Sequence, residues 1–326
     1  MIITKTPYRI SLFGGGTDYP AWYKKHGGEV ISFTINKYCY ISTRILPPFF
    51  EYNYRIVYSK VETVNEFKTI LHPAVREGIR KFCPELSLEI HHDGDLPSRT
   101  GIGSSSAFAV GFIHTLLLIK NQQINKSELA NKAIELEQID LAENVGSQDQ
   151  IACALGGMNY IKFGNNFNWE AKSIFLNSDL RASIMNRMVL IHTGITRNSS
   201  EIQSNLLVDL DKKMDVMYRS IQLARDCRLI FEQNGDLDLI GEMLAESWML
   251  KRKMNSNSIT HELDLVWEKA KVAGAIGGKV LGAGGGGFCL FWVKEGRREE
   301  FLKKFNYGIH VPIEMEDEGS KCILRQ

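Results

Sequence analysis

The chain has 326 residues, 44% of them hydrophobic, so it is long enough for two domains with sizeable cores. Its 39 Lys and Arg residues against 38 Asp and Glu residues leave a formal charge of +1, which argues against nucleic acid or an anionic membrane as a partner. Six cysteines without a C-x-x-C pair argue against a zinc ribbon or a dithiol redox site, and the first residues lack the apolar segment of a signal peptide. We expect a cytoplasmic protein with free thiols.

The predicted elements begin with strands. The β-branched and aromatic stretches "IITKTPYRISLF", "EVISFTINKYCYISTRIL" and "YRIVYSK" predict strands, and "LSLEIHHDGDLP" predicts a strand that runs into a turn. Two helices follow, from the serines after Gly103 to about Lys120 and from Ser127 to about Glu143. The first helix has no Asp, Glu, Lys or Arg but contains His114 and several hydroxyls, which favours a buried core helix over a membrane span.

The second half of the chain begins with a predicted strand, "RMVLIHTG". It continues mostly as helix from Ser199 to about Gly274 and returns to strands around "KVLGAGGGGFCLFWV". No linker composition marks a border between two domains. We place the border near residue 180, which divides the chain into residues 1–180 and residues 181–326.

Three consecutive glycines interrupt the first β-rich region, in "RISLFGGGTDYP". Arg9 precedes them, and Thr17 and Asp18 follow Gly15 and Gly16 directly. A glycine turn that carries a carboxylate suits sugar hydroxyls, because Asp accepts their hydrogen bonds while the backbone comes close. An ordinary Asx-type turn between strands explains the same residues.

A second glycine motif, "LPSRTGIGSSSA", stands between a predicted strand and a predicted helix. Gly101 and Gly103 would let the backbone approach a phosphate, and the helix would point free N–H groups and its positive end at it. The serine hydroxyls are oxygen donors of the kind that Mg²⁺ prefers. Ser106 stands where a dinucleotide fingerprint needs Gly or Ala, which argues against a hydride-transferring enzyme. A flexible turn with an ordinary Ser N-cap is the alternative.

Two carboxylates stand in unusual surroundings. On a helix, Glu137 would have Ala133, Ile134 and Leu141 within one turn of it, so it would need a partner, either a neighbouring Lys or Arg or a metal ion brought by a nucleotide. Asp149, in "VGSQDQIACALGG", precedes small apolar residues, and partial burial there would make it a base or a charge stabiliser. A solvated loop Asp is the alternative reading of Asp149.

The second half adds a glycine run and a basic residue. The run "VLGAGGGGFCLF" is expensive in backbone entropy, which predicts a close approach of this backbone to a ligand or a helix; a mobile hairpin loop is the alternative. In "HTGITRNSSEI", Arg197 precedes hydroxyls and a predicted helix start and could bind an anion, with Lys279 as a second cation. A surface Arg before a Ser N-cap would look the same.

As an ordered set, Arg9 with "GGGTD", then "LPSRTGIGSSSA", Glu137, "GSQDQ" and "LGAGGGGF", the chain resembles the GHMP family of small-molecule kinases over nearly its whole length. The resemblance implies an α+β fold of two domains. The amino-terminal domain would be like ribosomal protein S5 domain 2, the carboxy-terminal domain would be ferredoxin-like, and the active site would lie between them.

The resemblance also implies residue roles. It makes Asp149 the catalytic aspartate and Arg9 the arginine near the transferred phosphate. It makes Glu137 and Ser105 the ligands of Mg²⁺, although the additional serine leaves Ser104 open as the hydroxyl ligand. The residues implied for the ATP phosphates are Pro97, Gly101, Gly103, Ser104, Ser105 and Ser106. Those implied for the substrate are Gly15, Gly16, Thr17, Asp18, Arg197, Ser199, Lys279 and Gly285.

Within the family, "TPYRISLFGGGTDYPAWY", "GSQDQIACALGG", "HTGITRNSSEI" and "GGKVLGAGGGGF" are most similar to the kinases of heptose 7-phosphate. We therefore expect transfer from ATP, with Mg²⁺, to the anomeric hydroxyl of D-glycero-D-manno-heptose 7-phosphate, a small sugar phosphate. L-Fucose or another monosaccharide is the alternative acceptor. Galactokinases carry a Glu-His pair where this chain has Gly15 and Gly16, which argues against galactose. A non-catalytic sugar sensor would not need both Glu137 and Asp149. The sequence is compatible with a homodimer and does not decide the oligomeric state.

Overall fold

The β-branched and aromatic residues of the first region form a large sheet. The computed structural model describes residues 1–98, 100–164, 168–195, 213–254, 260–282 and 286–326. Within them, nine strands make up this sheet: β1 (Ile2–Phe13), β2 (Gly28–Ile45), β3 (Tyr54–Val57), β4 (Val61–Val64), β5 (Leu88–Gly94), β6 (Met158–Phe163), β7 (Trp169–Ser173), β12 (Met315–Glu316) and β13 (Lys321–Arg325).

The main path of the sheet runs β13-β1-β2-β5-β3-β4, and β6 and β12 also pair with the long strand β2. β3 and β5 run parallel, while the other pairs in this sheet are antiparallel. Arg9 lies in the middle of β1, opposite Thr34 of β2. The glycine turn therefore begins where the longest strand pair of the sheet ends.

A second sheet contains four described strands, in the order β11-β8-β10-β9, all antiparallel. The strands "RMVLIHTG" and those around "KVLGAGGGGFCLFWV" predicted for this half are thus confirmed. Their bounds are β8 (Met188–His192), β9 (Ala275–Val280), β10 (Phe288–Val293) and β11 (Ile309–His310).

The described helices cover the two sheets. They are α1 (Pro20–His26), α2 (Pro73–Phe82), α3 (Ser104–Ile119), α4 (Lys126–Glu135), α5 (Gln148–Leu155), α6 (Ser178–Arg187), α7 (Met214–Glu232), α8 (Asp238–Met254), α9 (His261–Ala273) and α10 (Arg298–Lys304). A 3-10 turn spans Phe67–Thr69. None of the described helices is long and apolar enough to cross a membrane.

The helix α3 is a core helix, as its composition predicts. From Ser106 to Leu117 nearly every side chain is buried, because α3 packs across β1 and β2. The predicted helix from Ser127 to Glu143 forms as α4 and then continues as a π-helical turn, Leu136–Asp140. All six cysteines are free thiols, as expected, and Cys322 alone is not buried.

The end of the chain returns to the first sheet. β13 pairs with the outer edge of β1, and β12 pairs with β2, so residues after the second sheet complete the first one. The division at residue 180 falls inside α6, between the last strand of residues 1–180 and β8. It remains a proposal, and the first unit also includes strands from residues 315–325.

Candidate active site

A cleft opens where the two sheets and their helices meet. It is bordered by the glycine turn after β1, the start of α3, the π turn, the start of α5, and residues of α7, α8 and β9. Of the residues proposed for function, those that line it are Arg9, Gly15, Gly16, Asp18, Gly101, Gly103, Ser104, Ser105, Ser106, Glu137, Asp149 and Lys279.

The start of α3 is open toward this cleft. Gly103 is the N-cap residue, with φ +74°, and it makes no side-chain cap hydrogen bond. The alternative of an ordinary Ser N-cap is therefore not found, and no side chain of the N-cap occupies the first N–H groups of the helix. Such groups, at the positive end of a helix whose first turn has no acidic residue, suit a phosphate.

Gly101 packs against the glycine-rich loop of the second sheet. Its φ is +86°, and a Cβ there would lie 2.5 Å from the Leu281 carbonyl oxygen. Gly282 faces it, and a Cβ on Gly282 would lie 2.4 Å from the Gly101 Cα. Gly287 approaches Thr100 in the same way, since a Cβ on Gly287 would lie 2.4 Å from the Thr100 carbonyl oxygen. The close approach predicted for the glycine run is thus an approach of this run to the serine loop.

Pro97 stands apart from the cleft. It is exposed, and its carbonyl oxygen accepts a hydrogen bond from Thr100 Oγ1 at 2.7 Å. It precedes the serine loop and is not among the residues that line the cleft, and its contact with ATP stays a prediction.

Glu137 lies on the π turn, opposite the serine loop. It is 1% exposed and accepts hydrogen bonds from Ser105 Oγ at 2.5 Å, Ser106 Oγ at 2.8 Å and Gln150 Nε2 at 2.5 Å. Burial raises the pKa of its carboxyl group to about 7 against the effect of these donors. No described Lys or Arg forms an ion pair with it, so the simpler of its two predicted partners is not found among the described residues.

The oxygens around Glu137 fit a magnesium ion that arrives with a nucleotide. The carboxylate and the Ser105 hydroxyl are hard oxygen donors, which Mg²⁺ prefers. Among the described residues there is no group of three His, Cys, Asp or Glu side chains that would bind a metal by itself. Mg²⁺ commonly keeps only one or two protein carboxylates and takes its other ligands from phosphates and water. Ser105 Oγ donates directly to the Glu137 carboxylate, which supports Ser105 as the hydroxyl ligand.

Asp149 opens α5 and binds Arg9 of β1 in a two-pronged ion pair. Arg9 Nε donates to Oδ1 at 2.7 Å and Nη2 donates to Oδ2 at 2.5 Å. The remaining nitrogen of the guanidinium, Nη1, donates to the Gly101 carbonyl oxygen at 2.8 Å. The Asp149 side chain keeps 23% of its surface exposed, and its Oδ2 lies 3.5 Å from the position of a Cβ on Gly103. Asp149 is therefore neither a solvated loop residue nor sealed from a ligand.

The glycine turn also positions Asp18, which lines the cleft. Asp18 is 2% exposed and accepts hydrogen bonds from the backbone N–H groups of Gly16 and Gln148. Burial, and then the charge of Asp149, raise the pKa of its carboxyl group to about 6. Gly146 leaves room for this carboxylate, since a Cβ there would lie 1.9 Å from Asp18 Oδ2.

Thr17 supports the turn from behind. It is fully buried, and its hydroxyl donates to the Gly14 carbonyl oxygen at 2.7 Å and accepts from the Glu29 N–H at 3.1 Å. It does not line the cleft. Its contact with substrate stays a prediction, and the contacts that the structure describes are with the backbone of the turn.

Residues that the sequence did not single out complete the cleft. Ser11, Gln148 and Lys251 line it, and Gln150 supports Glu137. Ser11 precedes the glycine turn, and Gln148 and Gln150 flank Asp149, so closeness to the predicted motifs was the signal available for these three. Lys251 lies on α8 among other basic residues, "KRK", which gave no such signal. Arg197, Ser199 and Gly285 lie outside the described residues, so their predicted roles remain predictions.

Comparison with known proteins agrees with this geometry. The model of the GHMP kinases N terminal domain matches residues 68–157, and the model of the GHMP kinases C terminal region matches residues 223–309. The chain belongs to the GHMP kinase family. The fold is accordingly the two-domain α+β fold of these kinases, and the family implies ATP as the phosphoryl donor.

Several GHMP kinases of known name resemble the whole chain. D-glycero-alpha-D-manno-heptose 7-phosphate kinase of Campylobacter jejuni is 29% identical over 316 residues, which cover 93% of this chain and 92% of that protein. A solved structure described as a D-glycero-D-manno-heptose 1-phosphate kinase from Bacteroides thetaiotaomicron has a TM-score of 0.82 and 25% identity, with both chains fully covered. The bifunctional fucokinase/GDP-fucose pyrophosphorylase of Arabidopsis thaliana is 23% identical over 91% of this chain and 30% of its own length.

Proposed function

We propose that this GHMP kinase transfers the γ-phosphoryl group of ATP, with Mg²⁺, to the anomeric hydroxyl of D-glycero-D-manno-heptose 7-phosphate. The observation that carries the proposal is the contact of Asp149 with the serine loop, because it puts a partly exposed carboxylate beside the open start of α3. The heptose kinases named above support the choice of acceptor.

The end of the cleft beside the glycine turn suits a ligand with many hydroxyls. Ser11 Oγ and Gln148 Oε1 are buried there and have no hydrogen-bond partner among the described residues. Buried polar atoms are costly without partners, so these two favour a ligand that supplies donors and acceptors. Asp18 adds a carboxylate oxygen, and a sugar meets all three requirements.

Phosphoryl transfer requires positioning and charge neutralisation more than covalent chemistry from the protein. The N–H groups of α3 would hold the ATP phosphates, and Arg9 would place positive charge beside the transferred group. Mg²⁺, when bound through Glu137 and Ser105, would neutralise phosphate charge as a Lewis acid. The sugar oxygen forms a bond to the γ-phosphorus while the bond from this phosphorus to the β–γ bridging oxygen breaks and ADP leaves.

Asp149 would orient the acceptor hydroxyl and take its proton. The ion pair with Arg9 fixes the orientation of this carboxylate beside the serine loop. In a loose transition state the proton leaves late, and the anomeric hydroxyl is more acidic than an ordinary alcohol, so a weak base suffices. Each carboxylate oxygen has a second lone pair besides the one that Arg9 occupies.

The alternative acceptor is L-fucose or another monosaccharide without a phosphate. A sugar 7-phosphate requires a second anion site away from the ATP phosphates, whereas a neutral sugar requires none. The segment around Arg197 and Ser199, proposed for that site, lies outside the described residues. A comparison of the enzyme's activity on phosphorylated and unphosphorylated sugars therefore distinguishes the two acceptors.

The test is release of ADP by the purified protein against a panel of sugars and sugar phosphates. We expect turnover of the heptose 7-phosphate to exceed that of unphosphorylated heptose, L-fucose and galactose, and we expect EDTA to abolish it. Equal turnover of an unphosphorylated sugar would replace the acceptor by the alternative. Full activity without divalent metal would overturn the magnesium site.

A further inference from the structure

Two lysines of the second domain line the cleft. Lys251, on α8, is partly buried, and its Nζ donates to the carbonyl oxygens of Val280, at 2.9 Å, and Gly282. Lys279, in β9, is 6% exposed, and its Nζ donates to the Leu12 carbonyl oxygen at 2.8 Å. Both side chains line the cleft.

Neither ammonium group has a carboxylate within ion-pair distance among the described residues. The three carboxylates that line the cleft have other partners: Asp149 binds Arg9, Glu137 binds hydroxyls and an amide, and Asp18 binds backbone N–H groups. Backbone carbonyls carry only partial charge, so the charged forms of these two amines have no counter-ion among the described residues. Burying charge in this way is costly unless a ligand supplies the opposite charge.

The lysines also affect each other. Burial, and then the charge of Arg9, lower the pKa of Lys251 to about 7. Burial, and then the charges of Lys251 and Arg9, hold the pKa of Lys279 well below its ordinary value. An anion bound between them would offset the repulsion and favour the charged form of both.

The two groups have hydrogen-bond donors to spare. An ammonium group has three N–H donors, of which Lys251 uses two and Lys279 uses one on the described protein. Three donors on two neighbouring cations match a phosphate dianion, which carries two charges and several acceptor oxygens.

The elements around the lysines also border the glycine turn. Met254, one turn after Lys251 on α8, has its Cε 3.0 Å from the position of a Cβ on Gly16. Leu12, the partner of Lys279, lies in β1 two residues before Gly14. The surface formed by α8 and β9 therefore borders the glycine turn as well as the serine loop. In the proposed function, the N–H groups at the start of α3 bind the ATP phosphates.

We propose that Lys251 and Lys279 together bind the phosphate dianion that the acceptor sugar carries at the end remote from its reacting hydroxyl. The proposal rests on the proposed function, since only a phosphorylated acceptor brings that dianion. It makes the two lysines the residues by which the enzyme prefers a sugar phosphate to the free sugar.

The test compares Lys251→Met and Lys279→Met with wild type in steady-state kinetics, using heptose 7-phosphate and unphosphorylated heptose as acceptors. Met keeps the length of the side chain and is suited to burial, which protects the fold. We expect KM for the sugar phosphate to rise roughly ten- to a hundredfold, with KM for ATP nearly unchanged, and the preference for the phosphorylated acceptor to fall by the same factor. Lys253→Met, an exposed lysine on α8, is the matched control and should keep the wild-type preference.

Binding without ATP gives a second measurement. Calorimetric titration with the sugar phosphate should show the same weakening in both variants, and thermal melting should show that they are folded. A loss of kcat with both KM values unchanged, or a rise confined to KM for ATP, would mean that the lysines act on the γ-phosphate, and it would overturn the proposal. Unchanged kinetics would overturn it while leaving the proposed function intact. A wild-type enzyme without preference for phosphorylated sugars would overturn both.

Discussion

Asp149 and Arg9 are 140 positions apart in the chain and form the closest charged contact of the cleft. The sequence pointed to each of them through its neighbours, Asp149 by the small residues that follow it and Arg9 by the glycine turn. Their contact could not be read from the sequence, because it depends on α5 packing beside β1. The same holds for Glu137, whose need for a partner was predictable and whose partners, two serine hydroxyls and an amide, were not.

Replacing Asp149 by Asn tests the role of its carboxylate. Asn has the same size and keeps one acceptor oxygen, but it cannot take a proton. We expect kcat to fall by roughly 10²- to 10⁴-fold while KM for ATP changes little. Steady-state kinetics measures both, with Asp215→Asn, at an exposed position on α7, as the control. A decrease of less than about threefold would place the base elsewhere.

Replacing Glu137 by Gln tests the proposed metal ligand. Gln preserves hydrogen bonding to one serine but removes the negative charge that attracts the ion. We expect the Mg²⁺ concentration for half-maximal rate to rise at least tenfold, because a hard dication depends on charged oxygen ligands. A magnesium titration at saturating ATP measures the change. An unaltered requirement for magnesium would contradict the assignment of Glu137.

Asp18 predicts a dependence of stability on pH. Its pKa is about 6 in the fold and 3.8 without it, so between these values the folded protein binds more protons than the unfolded chain. Stability from this residue therefore falls as pH rises, by about 3 kcal/mol in total. Urea unfolding from pH 4 to pH 7 should show Asp18→Asn gaining that much relative to wild type. A constant difference across the range would contradict the raised pKa.

At the scale of elements, the glycine-rich loop of the second sheet packs against the serine loop before α3. The sequence predicted both loops, the strands β1 to β3, β5 and β8 to β10, the helices α3 and α4 and the mostly helical stretch that holds α7 to α9, since β-branched runs and helical apolar spacing are local signals. It did not predict the strands β4, β6, β7 and β11 or the helices α1, α2, α5, α6 and α10, which have at most ten residues each. It did not predict the π-helical turn that contains Glu137, because a π turn does not follow the 3.6-residue spacing by which apolar residues indicate a helix. Nor did it predict β12, which has two residues, or β13, which pairs with β1 at the other end of the chain.

Replacing Gly282 by Ala tests the contact between the loops. Its φ is +62°, and a Cβ would stand 2.4 Å from the Gly101 Cα. Gly296→Ala is the control, because Gly296 has φ +71° and no atom within 4 Å of its Cβ position. We expect Gly282→Ala to lose about 1–3 kcal/mol more unfolding free energy than the control, and it alone should raise KM for ATP. An equal loss of unfolding free energy in both variants would mean that the close contact between the loops does not constrain residue 282.

At the scale of the whole molecule, the chain closes on itself. Strand β13 covers the edge of β1, and Ser320 Oγ lies 2.8 Å from Thr6 Oγ1 in the interior. The second domain is thus inserted between parts of the first sheet. Glu29 of β2 also accepts two hydrogen bonds from Arg225 of α7, both at 2.8 Å, which join the two halves of the chain.

This arrangement predicts how fragments fold. Residues 1–180 alone leave the edge of β1 uncovered, so we expect them to aggregate or to resist protease poorly. Joining residues 313–326 to them through a flexible linker should restore protection. The same fusion with the sequence of residues 313–326 scrambled should not. Limited proteolysis of the three purified fragments makes the comparison. Equal protection in all three would show that the first sheet does not need its last strands.

The proposed reaction is transfer of the γ-phosphoryl group of ATP to the anomeric oxygen of a sugar phosphate within this cleft. Phosphorus NMR of the product made from ATP, Mg²⁺ and D-glycero-D-manno-heptose 7-phosphate tests it most directly. We predict one new phosphate signal coupled to the anomeric proton, with the original 7-phosphate signal retained in equal amount. A new phosphate on another carbon, or hydrolysis of ATP without any sugar bisphosphate, would contradict the account.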